Sequence, residues 1–113
     1  MDIRENAIQS IDQLASAVTR LTVDQYQQPL EILSGNSIGK HVRHVVEFYE
    51  CLDGGVTQLV LNYDDRRRNM IIENDPDYAL MRMAELQEEI SKYEEKLLTL
   101  LVLSETHLSF LNI

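Results

Sequence analysis

The hydrophobic residues of this chain repeat at helical spacing in three separate stretches. In the first, apolar residues recur every three or four positions from Ile3 to Leu21, which predicts an amphipathic helix over roughly residues 3–21. Asp2 lies just before this stretch, and Glu5 lies three positions after Asp2. This spacing is close to that of a capping box. The pattern therefore predicts a first long helix with one buried face.

A second helix is predicted to begin near Ser37, after turn-forming residues at 34–36. Residues of a helix are about 100° apart around its axis, which assigns each side chain to a face. The centre of the buried face is expected to hold Ile38, Val42, Val45, Tyr49 and Leu52. The opposite side is expected to hold Lys40, Arg43, Glu47 and Glu50. Gly54 and Gly55 predict an end or a bend of this helix.

The third helix has the clearest start signal. Asp75 is placed to cap it, and Pro76 suits the first helical position, where its missing amide costs nothing. An apolar stripe then continues from Ala79 to Leu100, which predicts one long helix. Residues 97–113 are rich in Leu, Val, Phe and Ile, so we expect them to fold back on the other helices or to be buried in another subunit.

Length and composition predict a single folded domain in the cytoplasm. The 113 residues are 44% hydrophobic and 26% charged, with no apolar run near the roughly 20 residues that cross a bilayer. The polar start does not resemble a secretory signal, and one cysteine suits a reducing compartment. The net charge of −9 opposes binding to nucleic acids. We therefore expect no nucleic-acid partner and no membrane.

His41 and His44 are the main candidates for chemistry. They lie three positions apart, so their side chains are neighbours on one helix, and neutral imidazoles bind zinc, nickel and iron. The alternative is that both histidines only pack at the edge of the buried face. Glu47 is the nearest carboxylate along the chain, and His107 is the third histidine.

Cys51 and the arginines at 66–68 can each be interpreted in two ways. Cys51 follows His44 by two helical turns, as either an activated thiol or a small buried hydrophobic residue. Residues 66–68 are three consecutive arginines, which suit either an anionic substrate or pairing with nearby carboxylates.

Residues 37–47 resemble the second-helix signature of the DinB-like superfamily, which includes the YfiT-type proteins. They read Ser-Ile-Gly-Lys-His-Val-Arg-His-Val-Val-Glu, with a glycine at the helix start, a histidine five positions later and an acidic residue three further on. Residues 62–68, Asn-Tyr-Asp-Asp-Arg-Arg-Arg, resemble a connector in one branch of these proteins.

This resemblance implies a four-helix bundle that holds a divalent metal ion with three histidines, and in some members a thiol-transferase activity. By position, His44 matches the metal ligand of the second helix and Glu47 the acidic residue after it. The family's other two ligands lie on a fourth helix, where this chain has only His107.

From the pattern and the resemblance together we expect an all-α, antiparallel up-down bundle of three long helices plus a short C-terminal element. We expect a zinc, nickel or iron ion at His44 and His41, and a small thiol as the candidate substrate. In a homodimer, a second subunit would cover the helix faces that the fourth helix covers in the DinB-like family. The alternative is a non-catalytic, truncated bundle that acts through self-association or partner binding.

Overall fold

The computed structural model describes residues 2–58 and 69–99, with only the backbone described for residues 56–58. These residues form helices and no strand, which confirms an all-α fold for the described part of the chain. The helices are α1 (Ile3–Thr19), α2 (Val23–Gln27), α3 (Ile38–Gln58), α4 (Met70–Asn74) and α5 (Pro76–Ser91), with a 3₁₀ turn at Glu31–Leu33. A further helical turn occupies residues 95–99. No helix in these ranges has the length and apolar character needed to cross a membrane.

The predicted starts of the first and third long helices are confirmed by their caps. The Asp2 carboxylate accepts the backbone N–H of Glu5 at 2.7 Å. Oδ1 of Asp75 accepts the N–H groups of Asp77 and Tyr78 at 3.0 and 3.1 Å, with Pro76 in the first turn. Each cap satisfies amides that have no partner inside the helix.

The predicted helix ends differ from the structure. Gly54 and Gly55 do not end α3, which continues to Gln58, and the alternative of a bend at these glycines stays a prediction. The third long helix does not continue to Leu100, because α5 ends at Ser91 and the next helical turn begins at residue 95.

A contact with the start of α1 accounts for the break after α5. The guanidinium of Arg4 donates to the carbonyl of Tyr93 at 3.0 Å. The Glu95 carboxylate accepts the backbone N–H groups of Ile3 and Arg4 at 2.7 and 2.8 Å. The chain leaves its helical path where these bonds form, and the turn at residues 95–99 thereby caps α1.

The direction of the helices also differs in part from the prediction. α1 and α5 are antiparallel, since Gln87 bonds to the carbonyl of Ile8 while Arg4 bonds to that of Tyr93. α3 and α5 instead run in the same direction, because Glu50 pairs with Arg82 at 2.9 Å and Asp53, further along α3, accepts from Tyr93. The uniformly antiparallel order is therefore wrong for this pair.

The physical reason is that the chain returns to the start of α3 before α5 begins. The backbone N–H of Asn69 donates to Glu47 in the first half of α3 at 2.9 Å. The Asn69 amide also donates to the hydroxyl of Tyr78 in the first turn of α5, at 3.3 Å. The first turns of α5 are thus held beside the first half of α3.

One hydrophobic core connects these helices. Its buried members are Ala7, Ile11, Val18, Tyr26, Val42, Val46, Leu52, Ile72, Ala79, Met83, Leu86, Ile90 and Leu98. α1 packs mainly against α5, and α3 packs about equally against α4 and α5, while α1 and α3 contact each other much less. A groove therefore remains between α1 and α3, with a volume of about 190 Å³.

Gly39 allows α2, α3 and α4 to meet closely at the start of α3. A Cβ atom at this position would overlap the carbonyl oxygen of Glu73 and lie 2.7 Å from Cε2 of Tyr26. The Tyr26 ring is fully buried, and its hydroxyl donates to the carbonyl of Ile72 at 2.5 Å. The glycine of the signature is therefore explained by packing.

We expect Gly39→Ala to destabilise the protein by about 3 kcal/mol, because the added methyl group collides with backbone that cannot move independently. Gly54→Ala is the matched control, since a Cβ at that exposed helical position meets nothing within 4 Å. It should stabilise the protein by about 0.5–1 kcal/mol. Urea unfolding measures both, and equal effects of the two substitutions would contradict the close-packing argument.

Candidate functional site

The signature residues lie at the start and in the first half of α3, but three of them occupy a different environment from the one predicted. Arg43 and Glu47, expected on the side opposite the core, are only 6% and 1% exposed. Val45, expected at the centre of the buried face, is 38% exposed. Arg43 and Glu47 are buried because α4 packs against α3 from a side that the helical pattern assigns to solvent.

Arg43, Glu47 and Glu73 form an ionic cluster between α3 and α4, in which Arg43 and Glu47 are buried and Glu73 is half-buried. Nε of Arg43 lies 3.4 Å from Oε1 of Glu73 and 3.9 Å from Oε2 of Glu47. The same Glu47 oxygen accepts the N–H of Asn69, one residue before α4 begins. Since a charge removed from water must be compensated by its neighbours, this cluster fixes the position of α4 on α3.

The two candidate metal ligands lie on the outer part of α3. His41 is exposed and His44 is half-buried. Their ring centroids are 6.5 Å apart, with an angle of 69° between the ring planes. Two imidazoles bound to one tetrahedral zinc ion have centroids about 5 Å apart, as follows from a Zn–N distance of about 2.0–2.1 Å. Sharing an ion therefore requires a change of side-chain rotamer.

Arg43 further limits metal binding at His44. Its Nη2 lies 3.2 Å from Nε2 of His44, within hydrogen-bonding distance of an atom that a metal ion would use. The fixed positive charge of the guanidinium also repels a cation there. A metal ion at His44 must either displace this contact or use Nδ1.

The described residues do not complete a metal site. Within residues 2–58 and 69–99, no three His, Cys, Asp or Glu side chains are grouped to hold an ion. A catalytic zinc site usually has three protein ligands, so His44 and His41 supply too few. His107 and the arginine run at 66–68 lie outside the described residues. Cys51 is half-buried and packs against the core, in agreement with the small-hydrophobic alternative.

A second polar group, which the sequence did not predict, lies between the far ends of α3 and α5. The Tyr93 hydroxyl donates to Asp53, and the Arg82 guanidinium binds Glu50. A hydrogen bond with Asp53, partial burial and the Asp53 charge raise the pKa of Glu89 to about 7. Burial and the bond to Asp53 raise the pKa of Tyr93 to about 12. No motif marks this group, because its members come together only when α3 and α5 pack in parallel.

We expect Glu47→Gln to destabilise the protein by about 2–3 kcal/mol, because it removes one of two carboxylates that compensate the buried Arg43 charge. Glu88→Gln is the control, since the Glu88–Lys92 pair lies 3.6 Å apart on the surface and should be worth less than about 0.5 kcal/mol. Urea unfolding at pH 7 gives both values. A loss of unfolding free energy in Glu47→Gln as small as that in Glu88→Gln would show that the cluster does not hold α4 on α3.

The raised pKa of Glu89 predicts a pH-dependent stability. The folded state binds this proton more tightly than the unfolded chain, whose Glu pKa is near 4.5, so stability falls as the pH rises from 5 to 8. Because 39% of the side chain is exposed, solvent limits the effect to about 1 kcal/mol. Glu89→Gln should therefore be more stable than the native sequence at pH 8 and equal to it near pH 4.5. Unfolding by urea across this range tests the difference, and parallel curves for the two proteins would contradict it.

Comparison with known proteins finds no matching family model, no matching curated protein and no matching solved structure. The relationship to DinB-like proteins therefore rests on residues 37–47 and 62–68, and it stays a prediction. The geometry adds that Gly39, Arg43 and Glu47 have packing roles in this chain, whatever its family.

Proposed function

We propose that this chain is a DinB-like helical-bundle protein that binds a divalent metal ion through His44, with His41 as a second imidazole. The observation that supports this proposal is the position of the two histidines outside the buried core. Packing accounts for three other residues of the signature, which are Gly39, Arg43 and Glu47. The adjacent imidazoles are the nitrogen ligands that this part of the motif can offer to a divalent metal ion.

The proposal assigns no reaction. Two imidazoles leave the ligand set incomplete, and the guanidinium of Arg43 must leave Nε2 of His44 if the ion binds at that atom. A thiol-transfer activity, as the resemblance implies, depends on at least one further ligand. His107, or a histidine of a second subunit, is the candidate for that position.

The test is the metal content of untagged protein after incubation with zinc, nickel or iron(II) and removal of excess ion. We expect close to one ion per chain, lost in His44→Ala and weakened in His41→Ala. His107→Ala tests whether that residue completes the ligand set. Lys40→Ala, a change beside His41 that removes no metal ligand, is the matched control. Equal metal content in native protein and His44→Ala would overturn the proposal.

The second candidate is a non-catalytic bundle that acts by pairing with a second copy. The ionic cluster of Arg43, Glu47 and Glu73 favours it, because the cluster gives the signature a structural purpose that needs no metal. This alternative requires a homodimer without bound metal. Light scattering at tens of micromolar distinguishes it, since a monomeric chain would exclude it.

A further inference from the structure

One carboxylate oxygen of Glu89, on α5, is buried beside a second carboxyl group. This oxygen is Oε2, and no hydrogen-bond donor of the described residues faces it. The hydrogen-bonding neighbour of Glu89 is the side chain of Asp53 on α3. Two ionised carboxylates are both acceptors and cannot bond to each other, so this contact needs one proton between them. A shared proton would therefore join the far halves of α3 and α5.

The surrounding charges favour retention of this proton. The carboxylates that face one another here are those of Glu50 and Asp53 on α3 and of Glu85 and Glu89 on α5. The positive charge between them belongs to Arg82, which lies 2.9 Å from Glu50 and 3.7 and 4.0 Å from Glu85 and Glu89. The nearby Lys92 pairs with Glu88 on the exposed face instead. One guanidinium does not balance four ionised carboxylates, so a retained proton lowers the repulsion between α3 and α5.

Tyr93 connects the carboxyl pair to the start of α1. Its hydroxyl donates to Asp53, and burial together with this bond raises the pKa of Tyr93 to about 12, so the hydroxyl stays a donor at neutral pH. Its backbone carbonyl accepts from the Arg4 guanidinium at 3.0 Å. Two positions later, Glu95 accepts the N–H groups of Ile3 and Arg4. A displacement of Tyr93 therefore disturbs the bonds by which Glu95 caps α1.

We propose that a proton shared by Asp53 and Glu89 holds the end of α5 against α3, and that loss of this proton loosens the Glu95 cap of α1 through Tyr93. When both carboxylates are ionised, they repel each other across the two helices. α5 ends at Ser91, so the residues that follow can shift without unwinding it. The contact is thus closed at mildly acidic pH and opens as the pH rises above neutral. The proposal does not depend on metal binding at His44.

Exchange of the Ile3 and Arg4 amides with water tests the proposal in the full chain. NMR measures both rates at pH 8 in native protein and in Glu89→Gln, whose uncharged amide donates to Asp53 at every pH. We expect exchange on the order of fivefold faster in native protein, because solvent at the partly exposed Glu89 limits the effect of ionisation to that range. Comparison at one pH removes the intrinsic pH dependence of exchange. The two proteins should exchange equally near pH 5, where native Glu89 is protonated.

A second variant and a matched control separate the shared proton from a general effect of charge. In Asp53→Asn the new amide donates to ionised Glu89, so exchange of Ile3 and Arg4 at pH 8 should be as slow as in Glu89→Gln. Glu88→Gln removes one negative charge from the exposed face of α5 and should exchange like native protein.

The amides of Asp77 and Tyr78 report on the opposite end of α5. Asp75 caps them there, far from the carboxyl pair, so their exchange rates should not differ between native protein and Glu89→Gln. Equal rates at Ile3 and Arg4 in these two proteins at pH 8 would overturn the proposal. A fivefold change at Asp77 and Tyr78 as well would also overturn it, because the whole protein would then be opening.

Discussion

The buried positive charge of Arg43 is the constraint on which the arrangement of α3, α4 and α5 depends. A guanidinium in the interior needs carboxylates close by, and these come from its own helix at Glu47 and from α4 at Glu73. Glu47 also holds the backbone of Asn69, which in turn contacts the first turn of α5. The carboxylate that compensates this charge is thus linked through Asn69 to the first turn of α5.

The same junction explains why the signature reads as it does. Gly39 admits the backbone of Glu73 and the ring of Tyr26, so α2 and α4 approach α3 at a distance that any side chain would prevent. On the same helix, His41 is exposed, and His44 is half-buried with its Nε2 3.2 Å from Nη2 of Arg43. Residues with packing roles therefore alternate with the candidate metal ligands along one helix. A match to the motif alone does not tell which residue has which role.

The sequence predicted those features that depend on neighbouring residues. The caps at Asp2 and Asp75, and the apolar faces of α1 and α5, follow from local chemistry and helical period. Burial of Arg43 and Glu47 could not be predicted, because α4 has five residues, too few for a period, and covers a polar face. The end of α5 at Ser91 was missed since the apolar stripe continues past it, while the contacts that break the helix come from residues about 90 positions away. The group around Asp53 and Glu89 likewise appears only once two distant helices are placed side by side.

The cap that Glu95 provides for α1 has a consequence for how the protein is made. Amides at the start of α1 are bonded by a carboxylate 91 and 92 positions further along the chain. While the chain emerges from the ribosome, the first helix therefore lacks this partner until residue 95 has left the exit tunnel. A short, partly uncapped helix has little stability of its own in water. The first helix therefore gains this cap only after residues 93–95 have been made and have packed against its start.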